Sequence, residues 1–538
     1  MAGSPIFDAV RRVLKLAVEA ARPGAPPVDD VLEMRERFLS KRVEQLTRRR
    51  FLEAAAFSSL ALAGGEALFP RAAWTHPASG SAKIVIVGAG IAGLNAAYKL
   101  QKAGLRAEIY EASERTGGRI LTVKDVLGPG LTTELGGEFI DSTHLEMRAL
   151  AKEFGLELLD TRSASESALI RPAFFFNGSQ HTEAEAVEAF KPLAERIRHD
   201  VDTLGKIINY QHSNDAAKRL DALSLAQYLD KIGASGWMRK LLDVAFVTEY
   251  GLDANEQSAL NFILMINTNT SKHVVGLYGS SDERYKVKGG NQRVVDELAR
   301  RLEGQIHPRH QLKKIGAKDK GFRLTFENPN GSAVDVDGDV VVMCIPFSTL
   351  RDVDIRLELP PEKKKTIAEL GYGQNAKVCL GFKQRYWRAK GFSGYLFSEE
   401  PIQCAWDSSQ LQQAAGGSLT VFNGGTAGLD LAKGSPQEAA ARLLPFIEKA
   451  FPGASQSSNG QACRFEWPTY QWTKGSYSCY KPGQWTSIHG AEGTRFGALY
   501  FAGEHCSEDF QAYMNGGAQT GKDAAAAVVS ALGARATA

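Results

Sequence analysis

The residues with the clearest chemical meaning are three glycines that follow a run of β-forming residues. The stretch "KIVIVGAGIAGL" places Gly88, Gly90 and Gly93 in the spacing G-x-G-x-x-G. The first glycine permits a tight turn, the second lets the backbone approach a pyrophosphate, and the third lets a helix pack closely on the strand. The free N–H groups at the start of that helix then face the phosphates. The spacing predicts a dinucleotide site.

An acidic residue at the end of the next strand strengthens this prediction. Glu111 lies eighteen residues after Gly93, where a carboxylate can accept hydrogen bonds from a ribose hydroxyl. Ile91 and Ala92 open the helix, and Ala112 follows the acidic residue. The order strand, Gly-rich turn, helix, strand is a βαβ unit and predicts an α/β fold. On these residues alone NAD and FAD are equally good ligands.

The remaining chain must supply further lobes, because 538 residues are too many for one core. The net charge is only +3, with 64 Lys+Arg against 61 Asp+Glu, which gives no argument for a nucleic-acid partner and leaves a small molecule as the default. The six cysteines include no C-x-x-C pair, so we predict neither a metal site nor a disulfide.

Hydrophobic periodicity divides the rest of the chain into helical and strand-rich parts. Apolar residues three and four apart predict helices over 91–103 and over most of 183–265. Alternating and β-branched runs predict strands over 322–345, with a hairpin turn, and over 374–397. The Ala-rich end "YMNGGAQTGKDAAAAVVSAL" predicts a final helix.

The N-terminal part carries an arginine-rich segment before an apolar run of about fifteen residues, too short to span a membrane. It resembles a twin-arginine export signal of the form Ser/Thr-Arg-Arg-x-Phe-Leu, matched by Thr47, Arg48, Arg49, Phe51 and Leu52. This predicts export to the periplasm. Three alternatives stay open. Met34 could be the true start, residues 5–50 could form a retained helical extension, or a basic amphipathic helix could contact a membrane surface in a cytoplasmic or membrane-associated protein.

The segment after Glu111 decides between the two dinucleotides. "EASERTGGRILT" resembles the extended signature of FAD enzymes of the monoamine oxidase and L-amino-acid oxidase superfamily. The resemblance implies that Arg115 neutralises the diphosphate and that Gly117, Gly118 and Arg119 form a second turn beside it. A simple nicotinamide site does not need this second turn, so FAD is the predicted cofactor.

The resemblance to flavin amine oxidases extends over residues 83 to 530. "ELGGEFIDSTH" is similar to the family segment whose backbone passes the flavin, here Gly136, Gly137, Glu138 and Phe139. "YFAGEH" matches the C-terminal FAD motif, in which Gly503 and Glu504 would hold the ribityl chain. The helix that begins near Tyr513, Met514 and Asn515 would point its N-terminus at the flavin and stabilise its negative charge on reduction.

The family likeness implies an α/β fold with a discontinuous, Rossmann-like FAD-binding domain and an α+β substrate-binding domain. "YKVKGGNQRVVDEL" and "VVVMCIPFSTL" resemble the segments that return to the FAD domain. We predict the following division: a helical extension (1–46), the signal-like segment and linker (47–78), FAD-binding parts (79–145, 276–315 and 466–538), a helical substrate-binding part (146–275), and a substrate-binding sheet region (316–465) with a return to the FAD domain near 336–350.

Three predicted catalytic residues follow from the same resemblance. Lys377, in "QNAKVCLGFKQRYW", occupies the position of the lysine that holds a water against flavin N5. Tyr477 and Tyr513 match the two aromatic residues that flank the substrate amine and can stabilise its cationic forms. Ser476 stands where mammalian monoamine oxidases have the cysteine that binds the flavin, so we expect noncovalent FAD.

The implied activity is two-electron oxidation of a carbon–nitrogen bond to an imine, which hydrolyses to a carbonyl compound and ammonia. Oxygen, giving hydrogen peroxide, or a membrane quinone would accept the electrons, and the protein could assemble as a homodimer. Motif likeness favours an L-amino-acid oxidase, with basic amino acids among the substrates, over an amine or polyamine oxidase. The carboxylate-binding arginine of snake-venom and actinobacterial enzymes has no counterpart in "EFIDSTH". A FAD-binding electron-transfer protein without amine chemistry is the alternative from another class.

Overall fold

The structure is a computed structural model that describes residues 13–14, 16–21, 24–32, 82–169, 173–265, 281–399 and 401–533. Met34 and the twin-arginine segment lie outside the described residues. Upstream of that segment, residues 16–20 are helical, and Val13, Leu16 and Val18 are buried within the main hydrophobic core. Among the described residues, no helix has the length and apolar character that a membrane crossing requires.

The described residues include twenty strands and, from Ile91 onwards, sixteen α-helices, besides the helical residues 16–20 and 28–32. The strands are β1 (Ile84–Val87), β2 (Ala107–Tyr110), β3 (Thr122–Lys124), β4 (Thr132–Glu134), β5 (Leu158–Asp160), β6 (Ala173–Phe176), β7 (Ser179–His181), β8 (Tyr285–Val287), β9 (Ile306–His307), β10 (Gln311–Lys318), β11 (Gly321–Glu327), β12 (Ala333–Gly338), β13 (Val340–Met343), β14 (Asp354–Arg356), β15 (Ala376–Phe382), β16 (Leu396–Ser398), β17 (Cys404–Asp407), β18 (Gly417–Asn423), β19 (Ser458–Phe465) and β20 (Leu499–Phe501). The helices are α1 (Ile91–Lys102), α2 (Leu145–Glu153), α3 (Ala164–Ser167), α4 (Glu183–Thr203), α5 (Asp215–Asp221), α6 (Leu225–Lys231), α7 (Gly236–Tyr250), α8 (Ala259–Met265), α9 (Gln292–Arg301), α10 (Phe347–Leu350), α11 (Pro361–Glu369), α12 (Tyr386–Ala389), α13 (Gly425–Leu431), α14 (Pro436–Ala450), α15 (Ala454–Ser457) and α16 (Met514–Leu532).

A five-stranded parallel sheet collects strands from distant parts of the chain, in the order β20-β13-β1-β2-β9. β1 and β13 are buried along their whole length, which explains their continuous apolar sequences IVIV and VVVM. Helix α16 packs on α1 at Gly521, where a Cβ atom would lie 2.1 Å from the carbonyl oxygen of Ala92. This sheet and these two helices are the predicted Rossmann-like half of the fold.

The second half is built on a seven-stranded sheet, in the order β19-β15-β18-β17-β16-β6-β7. Adjacent strands in this sheet are antiparallel, except that β16 and β6 are parallel. Every residue of β15 and β18 is buried, Lys377 included. A four-stranded sheet (β12-β11-β10-β14) and two two-stranded sheets (β3-β4 and β5-β8) complete the strand structure of the described residues.

The predicted helical region contains α4 to α8. α4 begins at a capping box in which the Thr182 hydroxyl accepts the N–H of Glu185 while the Glu185 carboxylate accepts that of Thr182. Ser224 and Gln227 make the same arrangement at α6. The final helix was also predicted correctly, as α16.

One of the two strand predictions differs from the structure in detail. Residues 374–397 are not strand throughout, because α12 follows β15 directly, where Tyr386 and Trp387 turn back to pack on Phe382 with ring centroids 5.4 and 5.5 Å away. This difference arises from tertiary packing. Within 322–345 the hairpin of β11 and β12 forms as predicted, and β13, in the segment "VVVMCIPFSTL", then joins the parallel sheet.

Candidate active site

A cavity lies at the carboxyl ends of β1, β2, β13 and β20, with an atom-free volume of about 1260 Å³ that includes the open solvent at its mouth. This is the edge at which open α/β sheets bind their ligands. The predicted site residues that line it are Gly88, Gly90, Ile91, Ala92, Glu111, Ala112, Arg115, Gly118, Arg119, Tyr477, Gly503, Glu504, Tyr513 and Met514. The other predicted site residues are not part of this lining: Gly93, Gly136, Gly137, Glu138, Phe139 and Lys377.

The Gly-rich turn has the geometry that its spacing predicts. Gly88 adopts a φ of +102°, which L side chains rarely reach. A Cβ atom at Gly93 would lie 2.0 Å from the carbonyl oxygen of Gly88, so only glycine lets α1 approach β1 this closely. Glu111 is fixed beside the turn, because its carboxylate accepts the N–H of Ala89 at 2.7 Å and the N–H of Ser113 at 2.8 Å.

Two helix N-termini open onto the cavity. α1 starts after Gly90 and α16 starts after Tyr513, and neither is capped by the side chain of its N-cap residue. Ile91, Ala92 and Met514, in the first turns of these helices, line the cavity. Free N–H groups and the positive ends of two helix dipoles therefore face one ligand volume, which suits negative charge at both ends.

The two arginines of the second turn, Arg115 and Arg119, both donate hydrogen bonds to groups of the protein itself. Arg115 donates to the carbonyl oxygens of Thr116, Gly118 and Ile120, and burial lowers its pKa. The role predicted for it, neutralising a diphosphate, stays a prediction. Arg119 donates to Glu504 Oε1 at 2.8 Å and to the carbonyl oxygen of Ser476 at 3.0 Å.

Glu504 connects three segments around the cavity. Besides Arg119, it accepts the Ser478 hydroxyl at 2.7 Å and the N–H of Ala512 at 2.9 Å. Burial alone would raise the pKa of this carboxyl, but Arg119 and the hydrogen bonds hold the pKa below its ordinary value. Glu504 therefore stays ionised and ties the segments that carry Tyr477 and Tyr513 to the second turn.

The two predicted aromatic residues reach the C-terminal turn of α7 through their hydroxyl groups. The Tyr477 hydroxyl donates to the carbonyl oxygen of Thr248 at 3.0 Å. The Tyr513 hydroxyl donates to Glu249 Oε1 at 3.4 Å. Burial first, and then the charge of Glu249, raises the pKa of Tyr477 well above its ordinary value, so Tyr477 is a neutral phenol.

Glu249 and His144 were not identified from the sequence. The Glu249 residue is 3% exposed. The ring of His144 packs edge-on against Tyr513 with centroids 5.0 Å apart, and burial lowers its pKa to about 3, which makes it neutral at physiological pH. Glu249 opens the run "EYGLDANEQSALNFIL", and nothing in that run shows that it meets a tyrosine 264 residues later.

Lys377 lies in β15 with its ammonium group fully engaged. Its Nζ donates to the carbonyl oxygens of Glu134 at 3.2 Å and Gly136 at 2.9 Å, and to Glu138 Oε2 at 2.9 Å. These three acceptors match the three N–H groups of a lysine ammonium. The predicted water-holding role stays a prediction. The link to the cavity is Gly137, where a Cβ atom would lie 2.6 Å from Met514 Cγ.

The position at which the family resemblance predicts a flavin-binding cysteine carries a serine. Ser476 lines the cavity, and its hydroxyl donates to Asn375 Oδ1 at 2.7 Å. Cys479, three residues later, is buried with its Sγ 3.5 Å from Asn261 Nδ2. All six cysteines are free, although Cys379 and Cys463 oppose each other across β15 and β19. Within the described residues, no three His, Cys, Asp or Glu side chains are grouped to bind a metal.

Comparison with known proteins identifies the class of this cavity. The family model for flavin-containing amine oxidoreductases matches residues 91–529. The chain belongs to this family. The cofactor is therefore FAD, which confirms the choice made between the two dinucleotides.

Individual relatives of this amine oxidoreductase are distant but match over most of its length. It is 24% identical over 491 residues to an L-amino acid dehydrogenase of Synechocystis sp., covering 86% of this chain and 98% of that one. It is 24% identical over 472 residues to the flavin-containing amine oxidase A of Canis lupus familiaris, covering 84% and 85%. The cyclohexylamine oxidase structure from Brevibacterium oxydans aligns with a TM-score of 0.71 at 22% identity, covering 84% and 99%, which supports the fold.

The residues of the cavity fit FAD. A diphosphate suits the turn at Gly88 and the start of α1, where glycine leaves room for its oxygens and free N–H groups can bind them. Glu111, fixed at the end of β2, is placed to accept hydrogen bonds from a ribose. The start of α16 would serve the electron-accepting ring, since its dipole stabilises the negative charge that reduction brings.

Proposed function

We propose that this amine oxidoreductase oxidises the C–N bond of L-amino acids with a basic side chain. The likeness to an L-amino acid dehydrogenase supports the amino-acid part of the proposal. The observation that carries the basic side chain is Glu249, a buried carboxylate that accepts the Tyr513 hydroxyl. A carboxylate beside aromatic side chains is suited to an organic cation, such as an ammonium or a guanidinium group. Glu249 also lies in the last turn of α7, whose dipole adds negative potential.

Bound FAD supplies the two-electron oxidation, after which the imine hydrolyses to a 2-oxo acid and ammonia. The chain's own residues orient the amine and exclude water from it. Tyr477 and Tyr513 border the reacting nitrogen, and each is fixed by a hydrogen bond from its hydroxyl group to α7. Neutral His144 packs beside Tyr513 without repelling a cation.

A diamine is the second candidate substrate. It is favoured because the arginines of the cavity already bind groups of the protein. An α-carboxylate calls for a cationic partner in the pocket. Of the described residues that line the cavity, the arginines are Arg115 and Arg119. The Arg115 guanidinium donates to backbone carbonyl groups and the Arg119 guanidinium donates to Glu504. Neither is therefore available to a substrate carboxylate. A diamine needs no such partner, but it would use Glu249 in the same way.

The test compares each basic amino acid with its decarboxylated counterpart. L-lysine, L-arginine and L-ornithine are mixed without oxygen with the FAD-loaded protein, beside cadaverine, agmatine and putrescine, and the loss of flavin absorbance is followed. We expect the amino acids to reduce the flavin. If the diamines reduce it and the amino acids do not, the diamine proposal replaces ours.

Replacing Glu249 with glutamine should raise KM for basic substrates by about 10- to 100-fold, since a hydrogen bond to a charged group is worth about 1.5–3 kcal/mol. KM for a neutral substrate such as L-leucine should change less than about threefold. The measurement is steady-state oxidation of both substrate types by wild type and Glu249→Gln. An equal change for both types would contradict recognition of the side-chain cation by Glu249.

We also infer that FAD is held noncovalently and that oxygen accepts its electrons, giving hydrogen peroxide. Serine at position 476 cannot form a thioether, which supports the first inference. Acid precipitation should leave the flavin in solution, and yellow precipitated protein would contradict this. Oxygen consumption with substrate tests the second inference. A reaction that needs an added quinone would assign the electrons to that acceptor instead.

A further inference from the structure

One buried carboxylate is shared by two buried lysines behind the lining of the cavity. Glu138 Oε1 accepts Lys286 Nζ at 2.9 Å, and Glu138 Oε2 accepts Lys377 Nζ at 2.9 Å. Trp406 Nε1 donates to the same Oε1 atom at 3.0 Å. The side chains of Glu138, Lys377 and Lys286 are 2%, 3% and 8% exposed, so solvent does little to screen their charges.

The group draws its members from four separate segments. Lys286 belongs to β8, Lys377 to β15 and Trp406 to β17, while Glu138 follows β4. Lys286 Nζ lies 5.2 Å from the ring centroid of Phe139, and Lys377 Nζ lies 5.3 Å from that of Trp406. The aromatic surroundings keep water away and leave the carboxylate as the counter-charge of both lysines.

Glu138 also adjoins the flavin end of the cavity through its backbone. Asn291 Nδ2 donates to the carbonyl oxygens of Gly137 at 2.9 Å and Glu138 at 2.7 Å, and it lies 4.0 Å from Met514 Sδ. Met514 lines the cavity at the start of α16. The lysines and their carboxylate therefore lie directly behind the cavity lining at the start of α16.

We propose that Glu138 is a positioning residue that holds Lys377 against the Gly136–Gly137 segment and balances the charge of Lys286, a second lysine of the flavin environment. With both lysines and Glu138 ionised, the three side chains carry a net formal charge of +1. Removing either lysine cancels it, and removing the carboxylate leaves two buried cations that repel each other. The proposal concerns the FAD environment that every substrate would meet, so it holds for an amino acid or a diamine.

The charge state of Glu138 agrees with this arrangement. Burial acts to raise the pKa of its carboxyl, but the two lysines and their hydrogen bonds lower that pKa to about 2. Glu134 is the other carboxyl close to Lys377. Its pKa is raised to about 7 by burial, although it accepts the N–H of Asn291 and the hydroxyl of Thr122. The charge of Glu134 therefore changes with pH near 7. For this reason the variants described below are compared with wild type both below and above pH 7.

A double-mutant cycle tests the proposal through charge balance. The variants are Lys286→Met, Glu138→Gln and the double variant, which keeps Lys377 as a single cation and so restores +1. The probe is sulfite, an anion that binds oxidised flavin and is attracted by positive charge near it. We expect Lys286→Met to weaken sulfite binding about tenfold, and the double variant to return to within about threefold of wild type.

Melting of the FAD-loaded protein gives a second readout. Glu138→Gln should melt below the double variant, because it leaves two lysines in contact without a counter-charge. The control is Glu166→Gln, which removes the ion pair between the buried Glu166 carboxylate and Arg388, outside the cavity lining, and should lower the melting temperature without changing sulfite affinity. If the double variant binds sulfite as weakly as Lys286→Met or more weakly, and melts no higher than Glu138→Gln, the proposal is overturned.

Discussion

Replacing Lys377 with methionine should slow anaerobic flavin reduction by a saturating amine substrate by about a hundredfold or more. Methionine has a similar length but removes a buried positive charge beside the flavin-facing wall, and loss of one preorganised charged or donating group costs about 10²–10³ in rate. It also releases the carbonyl oxygens of Glu134 and Gly136 and leaves Glu138 with Lys286 as its cationic partner. The measurement is the rate of flavin bleaching by stopped flow.

The matched control for this variant is Lys363→Met. Lys363 is also a buried lysine, but its Nζ donates to the carbonyl oxygen of Glu492 and lies over Phe501, outside the lining of the cavity. We expect its flavin reduction rate to stay within about threefold of wild type. If both lysine variants lose rate equally, the effect comes from a destabilised fold, and a special role for Lys377 is contradicted.

Replacing Gly93 with alanine should reduce the FAD content of the purified protein at least tenfold. The added Cβ would lie 2.0 Å from the carbonyl oxygen of Gly88, so α1 must move away from β1 and the N–H groups that face the diphosphate move with it. Overpacking of this kind costs about 1–3 kcal/mol, and 1.4 kcal/mol is tenfold in affinity. The ratio of flavin to protein absorbance measures the loss.

Gly205→Ala serves as the control for the glycine variant. Gly205 is exposed after α4, and the nearest atom to an added Cβ there is 3.6 Å away, an ordinary contact. It should bind FAD as wild type does. Full FAD occupancy in Gly93→Ala would mean that the helix start does not hold the cofactor in the way described here.

The local parts of the site could be predicted from the sequence because their residues are close together in the chain. Gly88, Gly90 and Gly93 lie within six residues, and the strand–turn–helix around them follows from periodicity and from the special conformation of glycine. Glu111 ends the next strand, so its place beside the turn follows from the βαβ geometry. The motif "EASERTGGRILT" and the similar segments after it then indicated the family, which the comparison confirmed.

The long-range contacts could not be predicted, because no local pattern encodes them. Glu138 meets Lys286 and Lys377 across 148 and 239 residues, and Glu249 meets Tyr513 across 264. Only the packing of separate sheets and helices brings these side chains together. A sequence pattern can place Lys377 in a buried strand, but it cannot show that three acceptors already surround its ammonium group.

The direction of the Arg115 side chain could not be predicted from the sequence either. The motif places Arg115 beside a glycine turn, and an arginine there suits a diphosphate as well as it suits backbone carbonyl groups. In the structure its guanidinium group turns to those carbonyl groups, where a fixed fork of donors satisfies several acceptors at once. The choice depends on the path of the chain at Thr116–Ile120, which residue types alone do not determine.

The most direct test of the central claim is to mix the FAD-loaded protein with L-lysine in the absence of oxygen. An amine oxidoreductase with the proposed substrate should lose its oxidised flavin absorbance in one phase, release one ammonia per flavin and form the corresponding 2-oxo acid. Flavin that stays oxidised with every amino acid and amine tested, while still being reduced by dithionite, would contradict the account and favour an electron-transfer protein without amine chemistry.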